Sequence, residues 1–477
     1  MNSDKKKIYI FFLIYFTIHI IFINNYPINF EFTFSNFSKF FENYDEKIID
    51  QYFLSQANTI AFPFVAGLIS KFLNIENGLI ITRIISLLSY VFLILGLINF
   101  SKYYKFKINF LLIALFFLNP LIWVYGYRGT PDLISASLGF YGLSGLWNLK
   151  FDIKKFYYSF LIAFSIVLKP HCFIFGLILC FHYLHLKRKN VFNNYLFLII
   201  IIPILVILFF TINYKLFGFF LYSNNYQEAL SLNLPNFINN FLSYFGLLFL
   251  SIFPISIIYF FDKKILVQVI FYLFIFILGY LSIELYGEMD LGSLTSILGK
   301  KNLSGIVLCF AVIGFINIKN LIITERKKFN ENFVNPLIVS LVIYILVLSF
   351  FRPVQRYLIV IIPFLYLLFF MNYKIVFDKK FIIYLLILIV VNFALTLNSI
   401  LNSKISSNVA NYLLLNNINN KTDLGPINAN ANFIITEDNQ SKIFYLTNNP
   451  DGINKYEKKF NVGFLKIINK NLYLVKY

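Results

Sequence analysis

The sequence predicts an α-helical polytopic membrane protein of about thirteen transmembrane helices, with a small C-terminal domain of α/β or β-rich type on the outer face. Three observations carry this expectation. Of the 477 residues, 59% are hydrophobic and only 13% are charged, against roughly 25% charged in a soluble domain. Apolar runs long enough to cross a bilayer recur from one end of the chain to the other. Beyond residue 400 the composition turns to Asn, Asp, Lys and Gly, interrupted by short alternating apolar runs.

A formal charge of +19 raises the question of nucleic acid. The Lys and Arg residues, however, sit in short clusters between apolar runs and not along one polar face, which is the positive-inside signature. No nucleic-acid partner is expected; membrane lipids are. The first span, near residues 8–23, follows Lys5-Lys6-Lys7 and lacks a small-residue cleavage pattern, so it reads as an anchor and not as a cleaved signal. Further spans are expected near 79–100, 108–127, 131–149, 156–169, 171–186, 195–213, 237–261, 265–283, 303–318, 335–351, 356–371 and 380–398. This alternation makes every inner loop basic: Lys102, Lys105 and Lys107; Lys150, Lys154 and Lys155; Lys187-Arg188-Lys189; Lys263-Lys264; Arg326-Lys327-Lys328; and Lys379-Lys380. The N-terminus is then cytoplasmic, and the expected location is the plasma membrane, the inner membrane of a bacterium.

The domain division that follows is a transmembrane domain over 1–400, with an outer loop over 24–78, and a small soluble extracytoplasmic domain over 401–477. Within the outer loop, Lys47–Gln56 reads as an interfacial helix. The apolar run Ile60–Phe72, interrupted by Pro63 and Gly67, is too short to cross and reads as lying along the outer surface. In the tail, Phe433–Thr436, Ile443–Leu446 and Leu472–Val475 read as strands, with a turn at Asn449-Pro450-Asp451-Gly452. Cys172, Cys180 and Cys309 lie in or beside apolar runs without CxxC spacing, which suits packing and not a disulfide framework or zinc site.

The ionisable groups with chemical potential gather in the outer loops. The loop over 24–58 holds Glu42, Asp45, Glu46 and Asp50; paired acids beside a membrane serve as a general base or as oxygen ligands for a divalent metal, or are simply solvated. The segment from Asn119 to Asp132 ends one span in aromatics, turns at Arg128-Gly129-Thr130-Pro131, and opens the next with Asp132. Pro131 suits a first helical turn, with Thr130 or Asp132 as cap. In Phe351-Arg352-Pro353-Val354-Gln355-Arg356-Tyr357, two guanidiniums on the outer side run against the positive-inside trend. Arginine forks suit a lipid phosphate at headgroup level, or snorkel to the headgroups. Lys169 and His171 flank Pro170 at another outer turn, Lys169 as a partner for phosphate and His171 as a metal ligand or an interfacial histidine; Glu284, Glu288 and Asp290 form a second acidic patch, a substrate-binding wall or a solvated loop. His182 and His185 sit beside an inner basic cluster and read as interfacial. There is no Walker loop, dinucleotide fingerprint or nucleophile elbow.

These motifs, taken in order, resemble the GT-C superfamily of integral-membrane glycosyltransferases, the group of the protein O-mannosyltransferases and the aminoarabinose transferases of lipid A. The likeness covers residues 8–400 and rests on Asp45-Glu46 in a long first outer loop, Arg128, Pro131 and Asp132 at a span opening, Lys169-Pro170, and Arg356, Tyr357 and Pro363 in a late span. The resemblance implies transfer of a sugar from a polyprenyl-phosphate donor to a glycan, lipid or protein acceptor on the outer face. Asp45 would act as base, with Glu46 supporting it or sharing a divalent metal; Arg352, Arg356 and Lys169 would hold the departing phosphate, and Arg128, Asp132 and Glu288 would line the substrate site. Asp50 competes for the base role, and no histidine pairs clearly with the first loop as a metal ligand. Two rival readings stand beside this one. A surface-polysaccharide polymerase or ligase would use the arginines without the first-loop acids. A lipid-linked sugar flippase or transporter would need mid-span charges and matched halves, and the sequence shows almost none of the former and no internal repeat.

Overall fold

The computed structural model describes residues 3–23, 25, 31, 34–35, 60–75, 77–147, 154–187, 193–217, 234–253, 255–258, 273–274, 276–277, 300–329, 335–351, 354–372, 379–415, 433–436, 443–447, 458–464 and 468–476. The described chain is mainly helical. Three of its helical stretches are long and apolar enough to cross a membrane: Gly78–Tyr104, Lys301–Thr324 and Ile382–Val409. Shorter apolar helical stretches are Ala61–Leu73, Pro170–Leu184, Ile199–Lys215, Pro336–Leu348 and Ile362–Asn372. The span expected over 265–283 and the interfacial helix expected over 47–56 fall almost wholly outside the described residues.

In chain order the helices are α1 (Ser3–Ile21), α2 (Ala61–Leu73), α3 (Gly78–Tyr104), α4 (Phe110–Phe117), α5 (Pro120–Gly126), α6 (Pro131–Leu146), α7 (Lys154–Leu168), α8 (Phe173–Lys187), α9 (Asn193–Phe217), α10 (Phe237–Ser251), α11 (Ile255–Ile258), α12 (Lys300–Phe329), α13 (Pro336–Leu348), α14 (Ile362–Asn372) and α15 (Lys379–Leu415). The chain divides into two compact units. One comprises Met1–Ile14, Leu87–Gly126 and Pro131–Asn392; the other comprises Tyr15–Ser86, Tyr127–Thr130 and Phe393–Tyr477.

In the first unit α6 is the central helix. All of it is buried except Tyr141 and Gly145; it packs along α7, while α8 lies against α13 and α10 against α12. Its run of Ser, Ala and Gly between Leu and Phe lets neighbours approach closely, as helices with no hydrophobic drive between them require. The α10–α12 pair is closer still: a Cβ at Gly246 would sit 2.1 Å from the Val307 carbonyl oxygen. Gly246→Ala is expected to force the pair apart at a cost of about 1–3 kcal/mol, read as a lowered melting temperature in detergent; an unchanged melting temperature would contradict this packing.

The run expected as one span over 108–127 is two helices, and its sequence explains the break. Pro120 opens α5, where a missing N–H costs nothing. Asn119 caps it, its Oδ1 accepting from the backbone N–H groups of Leu121 (3.0 Å) and Ile122 (3.3 Å). Broken helices in an apolar medium leave carbonyls that must find donors. Here asparagine amides supply them: Asn392 donates to the Leu118 carbonyl (2.8 Å), Asn119 to Ser251 (2.7 Å), Asn240 to Ser349 (3.1 Å) and Asn317 to Ser256 (2.8 Å). Similarly, the span expected over 356–371 begins as a 3₁₀ turn, Gln355–Val360, before α14. His182 is buried and stacks on Trp147, with ring centres 3.7 Å apart.

In the second unit, α2 ends on Asn74 in the left-handed conformation (φ 53°), with the Ile75 N–H closing back onto the Ser70 carbonyl. The Phe22 ring stacks on Tyr127, whose hydroxyl bonds that of Ser399 (3.1 Å). The tail forms an antiparallel sheet of β1 (Phe433–Thr436), β2 (Ile443–Thr447), β3 (Lys458–Phe464) and β4 (Ile468–Lys476) in the order β1-β2-β4-β3. Its register pairs Phe433 with Leu446, Tyr445 with Val475 and Phe460 with Leu472.

Candidate functional site

Lys169 follows α7 in extended backbone (φ −150°, ψ 109°) because Pro170, next in the chain, disfavours a helical conformation before it. A single 3₁₀ turn, Pro170–Cys172, then leads into α8. This geometry turns the lysine back to α6, where its Nζ lies 3.4 Å from Asp132 Oδ1; both side chains are 3% exposed. Asp132 occupies the first turn of α6, where the helix dipole favours a carboxylate.

The third contribution comes from the turn Gln355–Val360, which packs against α6 and against Pro170–Cys172. Its Tyr357 ring meets the His171 ring with centres 3.8 Å apart. Lys169 Nζ stands 5.9 Å and the Arg356 guanidinium carbon 5.7 Å from the centre of that same ring, within cation–π range. Both cations therefore lie within about 12 Å of each other. Two buried tyrosines fix the turn: Tyr244 Oη accepts from the Val354 N–H (3.1 Å) and Tyr344 Oη donates to the Tyr357 carbonyl (2.9 Å). Among the described residues, two basic side chains and one carboxylate thus meet beside an aromatic wall.

The same turn faces an apolar cavity of about 200 Å³, lined by Pro120, Leu121, Leu247, Leu250, Ser251, Phe253, Ile306, Gln355, Leu358, Leu388 and Val391. Residues three apart in a 3₁₀ helix eclipse one another, so Gln355 and Leu358 line the cavity together, while Arg356 and Tyr357 belong to the charged cluster. Of the residues that the sequence offers to a divalent metal, Asp45, Glu46 and His171, only His171 is described. His171 feels the charges of Lys169 and Arg356 as well as Asp132, and Asp132 is already engaged by Lys169. Among the described residues no three His, Cys, Asp or Glu side chains gather as a metal site would need.

Of the residues singled out from sequence, Asp132, Lys169, His171 and Arg356 thus come together in the first unit. Arg128 belongs to the second unit. Asp45, Glu46, Glu288 and Arg352 lie outside the described residues. Glu31 and Arg83, which the sequence did not bring forward, form a buried ion pair in the second unit (2.7 Å). Fold and site together define an α-helical chain with membrane-length apolar helices and a cluster of Asp132, Lys169, His171 and Arg356 around Tyr357. No protein-family model, curated protein or solved structure matches it.

Proposed function

We propose that the protein is a membrane glycosyltransferase of GT-C type, moving a sugar from a polyprenyl-phosphate donor to a glycan, lipid or protein acceptor at the outer face of a plasma membrane. In this reading the chain crosses the bilayer about thirteen times, with its N-terminus in the cytoplasm and its C-terminal domain outside. One observation supports it above the rest: Asp132, Lys169, His171, Arg356 and Tyr357, from three separate parts of the chain, share one cluster in which Asp132, Lys169 and Tyr357 are buried. A phosphate head suits Lys169 and Arg356, and a polyprenyl chain suits the apolar cavity behind the same turn.

The chemistry needs little more. An acceptor hydroxyl oxygen bonds to the anomeric carbon as the bond from that carbon to the phosphate oxygen breaks, its electron pair leaving with the phosphate. Asp45 takes the hydroxyl proton. Lys169 and Arg356 offset the charge that grows on the departing phosphate, which is where fixed cations lower a barrier most. Asp132 keeps Lys169 in place.

The test is release of polyprenyl phosphate from lipid-linked sugars by the purified chain in lipid nanodiscs. Arg356→Lys keeps the charge but loses the fork and should reduce the rate about tenfold, while Arg356→Ala should reduce it by about 10²–10³-fold. No release from any lipid-phosphate sugar, or a wild-type rate in Arg356→Ala, would overturn the proposal.

A further inference from the structure

Glu31 and Arg83 form a contact that the proposed reaction does not use. The side chains of both are almost wholly buried, 1% and 2% exposed. A pair of this kind gains little over two well-packed apolar side chains; what it adds is direction. Arg83 Nη2 and Nε donate to the two oxygens of Glu31 at 2.7 and 3.2 Å. Its Nη1 donates to the carbonyls of Phe22 (2.7 Å), Ile23 (3.0 Å) and Asn25 (2.7 Å), just past the end of α1, where carbonyls lack helical partners and favour a cation. Glu31 Oε1 accepts in addition from the Gly129 N–H at 2.7 Å.

The Arg83–Glu31 pair therefore gathers the end of α1 and the root of the first outer loop through the guanidinium, and the turn Tyr127–Thr130 through the carboxylate. One turn along α3, Ser86 donates to the Thr130 carbonyl at 3.3 Å and ties that turn a second time. The fit admits no side chain at Gly129, where a Cβ would lie 2.4 Å from Thr82 Oγ1 and 3.0 Å from Thr82 Cβ.

We infer that Glu31 and Arg83 are positioning residues. They fix the root of the loop that later carries Asp45, and the turn from which the chain runs directly into Pro131 and Asp132. Neither touches the reacting atoms. The kinetic consequence rests on the glycosyltransferase reading; the conformational one does not.

The experiment uses the full chain in nanodiscs and two mild variants that keep their charges. Arg83→Lys loses the planar fork, and Glu31→Asp is too short to serve Arg83 and Gly129 together. Displacements of about 1 Å at a reacting centre cost about 10²-fold in rate, so each variant should lose about 10²-fold in kcat, with KM for the donor within a few-fold of wild type, at a temperature where each variant is still fully folded. Separately, trypsin cleavage after Lys39 and Lys47 in the outer loop should quicken about tenfold as the root opens more often. A wild-type kcat and unchanged cleavage in both variants would overturn the proposal, as would a kcat loss that simply follows a lowered melting temperature. If cleavage quickens but even the wild-type chain transfers no sugar, the positioning role stands and the enzymatic reading falls.

Discussion

Lys169→Met is expected to abolish sugar transfer, and Asp132→Asn in the same chain to restore stability without restoring activity. The single change removes one member of a buried ion pair and takes from Asp132 its lysine partner, which costs about 3–5 kcal/mol. It also removes a cation from the proposed phosphate site, worth about 10²–10³-fold in rate. These two effects separate in the double variant Asp132→Asn/Lys169→Met. Both members of the pair are then neutral, so the melting temperature should return most of the way to that of wild type while release of polyprenyl phosphate stays at background. Recovery of activity together with stability would show that the lysine only holds α6 to the turn before α8. The measurement is a thermal-unfolding series in detergent beside the nanodisc assay, on all three variants.

The second large effect is expected at Asp45. Asp45→Asn keeps size and hydrogen-bonding capacity but cannot accept the acceptor's proton, and a well-placed general base contributes about 10²–10⁴-fold. Transfer should fall by that amount, with normal membrane insertion and normal binding of the lipid-linked donor. Full activity in Asp45→Asn would remove the first-loop acid from the reaction and favour a polymerase or ligase that works through its arginines alone. Asp50→Asn is the companion variant, since Asp50 competes for the same role.

What could be seen in advance follows from where the signals lie. Asp132, Lys169, His171 and Arg356 stand out in the sequence because each interrupts apolar chain at a turn marked by proline or glycine, and all four meet in the structure. Glu31 and Arg83 gave no such signal. They are 52 residues apart, and nothing periodic links a lone acid in a polar loop to an arginine inside an apolar helix. The break at Asn119-Pro120 carried a local mark, an N-cap residue followed by proline, that hydropathy averaged over a whole span conceals. β3 was also legible in principle: Phe460, Val462 and Phe464 alternate with Lys459, Asn461 and Gly463, but the lysines at its start obscure the period.

The asparagine amides that close the helix breaks set an order of assembly. The Leu118 carbonyl receives its donor from Asn392, 274 residues later in the chain, whereas the Ser256 carbonyl waits only 61 for Asn317. While the chain emerges from the ribosome, the earlier of these oxygens has no protein donor at hand and must be served by water or by the insertion machinery. The α4–α5 joint is therefore expected to stay hydrated until the helix carrying Asn392 arrives and its amide takes the place of water at the Leu118 carbonyl.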